Sequence, residues 1–261
     1  MNATAVPGEP VTVGPEELAT IVGRAVEPVL LGLDVDGVLA PIVERADRAV
    51  LSPGVLDLLV TLADRLPVAV VSGRSLGDLL ERFSFPDGIE VVGSHGLEVR
   101  GVDGDHLELD PEERYRLDQL RLLATEAADT AGPGAWLEDK PASVVLHVRE
   151  ADPDRAASAT DGLLDAVARV PGAQVKPGHA VVELLARPTS KADAITALRV
   201  ERGAATVVFL GDDHTDEDVF AVLDAHDIAV RVGPGATRAR YRLDGPGAVV
   251  EFLAALAART G

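Results

Sequence analysis

The chain has 261 residues, 47% of them apolar and only 3% aromatic, so it can bury a sizeable core that must be built from Ala, Val and Leu. Its 24 basic and 43 acidic residues give a net charge of -19 with no basic run, which excludes a nucleic-acid-binding class. Any anionic ligand then has to be held by a local cluster of positive charge or by a metal ion, and the absence of cysteine excludes disulfides, thiolate metal sites and a cysteine nucleophile.

From Met1 to Leu18 there is no Lys or Arg and no continuous apolar stretch, and no later apolar run reaches the length of a membrane span. Neither a secretory signal nor a membrane partner is expected, and the expected location is cytoplasmic. Past this arm, a helix is predicted from Pro15 to about Ala25, then a short buried strand over Val29 to Leu33 that ends at Asp34. A helix from about Pro53 to Arg65, a strand over Val68 to Val71, a helix over Leu76 to Phe83 and a strand over Ile89 to Val92 follow. Strand and helix in alternation imply an α/β fold with a doubly wound, parallel sheet.

Between about residues 100 and 187 the rhythm changes. A strand near Leu97 to Arg100, a long helix opening at Asp110, strands near Ala135 to Leu137 and Val144 to Val148, a helix from about Asp154 and strands near Gln174 to Lys176 and Val181 to Leu184 read as a small antiparallel α+β insertion. The first rhythm then returns with a helix over Lys191 to Arg202, a strand over Thr206 to Leu210, a helix after Asp216, a strand over Ile228 to Val232 and a closing helix to Ala258. The expected organisation is a core domain of residues 1–99 and 188–261, interrupted by a cap of residues 100–187.

Four segments can carry chemistry, and each lies at a strand end or a helix start. In Leu33-Asp34-Val35-Asp36-Gly37-Val38, two carboxylates follow a buried strand at the sheet edge where ligands bind in open α/β folds. The same pattern occurs in Asx turns and calcium loops, although a calcium loop needs oxygen ligands where this chain has Val38, Ala40 and Ile42. Val71-Ser72-Gly73-Arg74 can offer a hydroxyl and backbone N–H groups to a phosphate, or can be a simple turn. Ser190-Lys191 reads as a helix N-cap followed by a lysine, a residue type usually found as a solvated charge. Finally, Gly211-Asp212-Asp213-His214-Thr215-Asp216 packs so many carboxylates behind one strand that a cation is expected among them, and oxygen-only ligands favour Mg²⁺. His106, His179 and His226 have no spacing that suggests a zinc site.

Taken in order, these segments resemble the four motifs of the haloacid dehalogenase superfamily of phosphotransferases. The insertion further resembles trehalose-6-phosphate phosphatases through Gly93-Ser94-His95-Gly96, Leu137-Glu138-Asp139-Lys140, Ser143 to Arg149 and Val182-Glu183. The resemblance implies a haloacid-dehalogenase-like core with a C2-type cap, and a Mg²⁺-dependent phosphatase that converts trehalose 6-phosphate to trehalose and phosphate. It implies Asp34 as nucleophile, Asp36 as acid and base, and Lys191 and Ser72 as catalytic holders of the phosphate oxygens. Asp34, Asp36 (through its carbonyl), Asp212, Asp213 and Asp216 are implied as the metal set, and Gly73, Arg74, His95, Glu138, Lys140, His147, Arg149 and Glu183 as substrate-binding residues.

Three positions depart from the family's usual residues: Val38 where it has Thr, Val148 where it has an aromatic, and Ala192 where it has Gly. A sibling phosphatase of another glycosyl or cyclitol phosphate, a sugar phosphomutase and a non-catalytic sugar-phosphate sensor are the competing readings. The expected partner is one small sugar phosphate, and a monomer is favoured.

Overall fold

The structure is a computed structural model that describes residues 9–43, 45–101, 104–105, 109–178 and 180–259; His106 and His179 lie outside the described residues. In chain order the elements are β1 (Val11–Thr12), α1 (Pro15–Val22), β2 (Val29–Leu33), α2 (Val55–Ala63), β3 (Val68–Val71), α3 (Leu76–Phe83), β4 (Glu90–Gly93), β5 (Glu98–Gly101) and β6 (Gly104–Asp105). There follow α4 (Pro111–Ala131), β7 (Trp136–Asp139), β8 (Ser143–His147), α5 (Pro153–Val167), β9 (Gln174–Gly178) and β10 (Val181–Leu185). The chain closes with α6 (Lys191–Glu201), β11 (Thr206–Gly211), α7 (His214–Val222), β12 (Ile228–Val232), β13 (Tyr241–Leu243) and α8 (Pro246–Arg259). Two compact units result, Met1–His106 with Thr189–Gly261 and Leu107–Pro188. Among the described residues no helix is long and apolar enough to cross a membrane.

The first unit is built on a mostly parallel sheet in the order β1-β13-β12-β11-β2-β3-β4-β5-β6. Both faces are buried. Leu31 and Leu33 of β2 pack with Leu18, Leu59, Leu79 and Phe252 of α1, α2, α3 and α8, while Leu30 packs on the other face with Ile195 of α6 and Val219 of α7. Full burial of each such leucine contributes roughly 1.5–3 kcal/mol. Gly32 admits the closest approach: a Cβ there would stand 2.7 Å from the Phe209 ring and 2.8 Å from Ile195. The parallel pairing of Leu33 with Leu210 and with Val70 puts the carboxyl ends of β11, β2 and β3 at one edge, so Asp34, Ser72 and Asp212 emerge side by side.

Two expectations need correction here. The strand near Leu97 to Arg100 does not join the inserted module; β5 pairs antiparallel with β4 in the large sheet. The cause is the turn between them, where Ser94, His95 and Gly96 have φ of 48, 57 and 106° and reverse the chain, after which Arg100 donates to the carbonyls of Phe85 and Pro86. Likewise the helix expected after Asp216 begins at His214, because the Asp213 side chain accepts from the N–H groups of Thr215 and Asp216 and caps it.

The second unit holds an antiparallel sheet in the order β7-β8-β10-β9. Val144, Leu146, Val182 and Leu184 face α4 and α5 in one apolar cluster. Alternation then places Trp136, Glu138, Ser143, Val145, His147 and Glu183 on the opposite face. The α4 helix starts with Asp110 and Glu113 in a reciprocal capping box and Pro111 in its first turn, as the sequence leads one to expect.

Gly32→Ala is expected to cost about 1–3 kcal/mol by overpacking, read by urea denaturation; a smaller cost would show that Phe209 and Ile195 yield freely.

Candidate active site

Asp34 leaves the end of β2 with its N–H donating to the Leu210 carbonyl at 3.0 Å, and its Oδ1 accepts from the Val35 N–H at 2.7 Å. The chain then turns at Gly37, whose φ of +80° favours glycine, and whose missing Cβ would fall 2.1 Å from Oδ2 of Asp212. No side chain fits there, so the Asp212 carboxylate rests directly against the backbone of the Asp34 loop.

Lys191 is the first residue of α6, placed by Ser190, which caps the helix by accepting from the Asp193 N–H. The lysine is 2% exposed, with Nζ 2.9 Å from Asp34 Oδ2 and 2.8 Å from Asp216 Oδ1. Burial favours the neutral amine, but the carboxylates of Asp34, Asp216 and Asp213 outweigh it and hold the ammonium charged. Asp216 is fully buried in the first turn of α7, and its Oδ2 accepts from the N–H groups of Asp212 and Asp213.

This cluster carries more negative than positive charge. Burial pushes the Asp34 carboxyl well up despite the pull of Lys191, and burial also raises Asp216. Asp212 is pushed up to about 6 by burial and then by the charges of Asp216 and Asp213. In Asp213 alone, burial is outweighed by Lys191 and by the hydrogen bonds from Thr215 and Asp216, and its carboxyl stays low. One oxygen each of Asp34, Asp213 and Asp216 lies within 4.8 Å of the others. An all-carboxylate donor set short of positive charge fits a hard divalent cation. Of the four residues expected to offer a carboxylate to the metal, the structure gathers these three, while the Asp212 carboxylate lies beside Gly37; Asp36 is expected there through its backbone carbonyl, and its carboxylate turns elsewhere.

The Asp36 carboxylate is gripped by Arg74, with Nε 2.6 Å from Oδ2 and one terminal nitrogen 2.8 Å from Oδ1. The other terminal nitrogen binds Asp78 at 2.7 Å, and the guanidinium carbon lies 5.6 Å from the centre of the Phe83 ring. This fork raises the pKa of the guanidinium further and fixes it, so Arg74, expected on substrate, is here the orienting partner of Asp36. Ser72 is buried at the end of β3, and its hydroxyl accepts from the Arg74 N–H at 3.2 Å. The His95 ring covers Gly73, where a Cβ would approach it to 2.7 Å.

The remaining expected residues lie in the second unit. Glu183, 9% exposed, receives Lys140 Nζ at 3.2 Å and Ser143 Oγ at 2.7 Å on the same oxygen. Glu138 meets His147 Nε2 at 3.1 Å, whereas Arg149 sits in the exposed turn beyond β8. Two residues here have no role assigned from the sequence: Ser143, which opens the Ser143 to Arg149 segment and binds Glu183, and Trp136, which stacks on His147 with ring centres 3.7 Å apart and planes 4° apart.

Comparison with known proteins identifies the family. A family model described as trehalose-phosphatase matches residues 32–246. The chain is 38% identical over 239 residues to a trehalose-phosphate phosphatase of Mycobacterium tuberculosis, a match covering 86% of this chain and 60% of that protein. The chain thus spans about 60% of the length of the first curated relatives it matches. Among solved structures, the C-terminal domain of the Candida albicans trehalose-6-phosphate phosphatase superposes with a TM-score of 0.72 at 21% identity, covering 98% of this chain and 99% of that one. The Aspergillus fumigatus trehalose-6-phosphate phosphatase gives 0.70 at 26% identity, covering 95% and 99%.

Lys191→Met leaves Asp34 and Asp216 buried without their ammonium and is expected to cost roughly 3–5 kcal/mol by urea denaturation, a loss that a divalent cation reduces. Unchanged stability would mean that the ammonium does not balance these carboxylates.

Proposed function

Because the chain belongs to the trehalose-phosphatase family, we propose that it is a Mg²⁺-dependent phosphatase that hydrolyses trehalose 6-phosphate through an aspartyl-phosphate on Asp34. The observation that carries the reading is the buried Asp34 carboxylate, held at the end of β2 by Lys191 and followed two residues later by Asp36.

The phosphomonoester brings about two negative charges to a carboxylate nucleophile, so positioning and charge compensation dominate the task. Lys191 and the Ser72 hydroxyl hold the phosphate oxygens, and the backbone hydrogen bond at Val35 fixes the rotation of Asp34. Once Asp36 has left Arg74 and taken up a proton from solvent, an oxygen of Asp34 forms a bond to phosphorus as the bond from phosphorus to the sugar oxygen breaks, and Asp36 delivers its proton to that oxygen. Asp36 then takes a proton from water; the water oxygen bonds to phosphorus, the bond to Asp34 breaks, and phosphate and the free carboxylate are restored. Asp36 exchanges its pairing with Arg74 for the leaving oxygen, and the substrate phosphate offers that guanidinium another anion.

Asp34, Asp212, Asp213 and Asp216 are the side chains that would hold Mg²⁺, joined by the Asp36 carbonyl. When bound, the ion neutralises charge on the phosphate oxygens and on the nucleophile. In the second unit, Glu138, Lys140, His147, Arg149 and Glu183 supply hydrogen-bonding groups suited to the hydroxyls of a sugar.

Asp34→Asn is expected to lower Mg²⁺-dependent phosphate release from trehalose 6-phosphate by at least about 10³-fold; undiminished turnover would remove Asp34 as nucleophile. A panel of trehalose 6-phosphate, glucose 6-phosphate and mannose phosphates should show the highest kcat/KM for the first, and equal values would end the substrate assignment. Glu138→Ala should raise KM for trehalose 6-phosphate about tenfold in a protein that keeps its circular dichroism.

A further inference from the structure

Trp136 is the single tryptophan of the chain and stands 51% exposed, in a protein with few aromatic residues to spare. Its strand, β7, forms one edge of the second unit's sheet, and Trp136 lies in register opposite His147 of β8. The two rings are parallel within 4°, with centres 3.7 Å apart, so one face of the indole is covered by the imidazole. The imidazole is itself fixed on its far edge, because Nε2 lies 3.1 Å from Glu138. The indole therefore stands on a held base, and half of it is open to solvent.

Polar side chains share its sheet face. Glu138 follows on the same strand face about 7 Å along, and Glu183 lies across Val145 in the register Glu138, Val145, Glu183, about 10 Å over two strand spacings. Lys140 and Ser143 orient Glu183. The open face of the indole, at the sheet edge with Glu138 two residues along the same strand face, matches a pyranose, which presents an apolar face of C–H bonds and a rim of hydroxyls.

We propose that Trp136 is a specificity-determining residue that packs its open side against the C–H face of one glucose ring, while His147 fixes the indole and Glu138 accepts from a hydroxyl at the ring's edge. This rests on the disaccharide-phosphate reading of the substrate. It adds to that reading an apolar contact, made by a side chain outside the polar set that the sequence suggested.

The test uses the full chain, whose tryptophan emission comes from Trp136 alone. Titration with trehalose, followed by calorimetry and by fluorescence, should give a saturable change in emission with the calorimetric midpoint. In Trp136→Ala, the ratio of kcat/KM for trehalose 6-phosphate to that for glycerol 3-phosphate should fall about 2–10-fold, and Trp136→Phe should recover most of it. Calorimetric binding without an emission change overturns the proposal, as does an unchanged ratio in Trp136→Ala. Emission that responds to tetramethylammonium but not to trehalose overturns it in favour of a cation on the indole. If wild-type protein neither binds trehalose nor turns over its 6-phosphate, the substrate reading itself fails and takes the proposal with it.

Discussion

The buried ammonium of Lys191 is the group on which the candidate site depends. Removing a lysine from water is costly, and here the cost is offset by Asp34 on one side and Asp216 on the other. That pairing fixes three elements against one another: the end of β2, the first turn of α6 and the first turn of α7. It also leaves a carboxylate surplus. With Asp212 and Asp213 alongside, one ammonium faces four acids, and burial resolves the excess either by protonation or by a bound cation.

The same economy of charge recurs through the molecule. Asp36 is held by Arg74, Glu183 by Lys140 and Glu138 by His147. In a chain with 24 basic and 43 acidic residues, basic side chains are spent on acids that need orientation. These pairs differ in burial. Lys191 and Asp216 are sealed from solvent, whereas Glu138 keeps 42% of its side chain exposed, so the former act on stability and the latter chiefly on geometry.

Much of the core unit was legible because its strands are short apolar runs bounded by polar turns: β2, β3, α3 and β12 begin and end where patterning puts them. The elements missed have physical reasons. β13 is three residues long, and its strand character comes from parallel pairing with β12 and β1. β5 reads locally as a strand of either module, and only the left-handed turn at Ser94-His95-Gly96 commits it to the large sheet. At α7 the acidic run carries no periodicity, although Asp213 and Asp216 stand at the spacing of a capping box. At the site, the segments around Asp34, Ser72, Lys191 and Asp212 were legible as strand ends and helix starts. The grip of Arg74 on Asp36 and the stacking of Trp136 on His147 were not, because both depend on which residues the sheets place opposite each other.

The pairing of β2 with β11 joins the beginning of the chain to its last third. A ribosome delivers Asp34 before the Leu107–Pro188 unit, and Lys191 and Asp216 only after that whole unit has emerged. That unit has its own sheet and its own apolar cluster, so it can fold while the first strands wait. Until β11 and α7 arrive, β2 lacks one of its two neighbours and Asp34 has no ammonium to enter the interior with. The burial of Asp34 beside a charged partner thus waits on residues that lie more than 150 positions further along the chain.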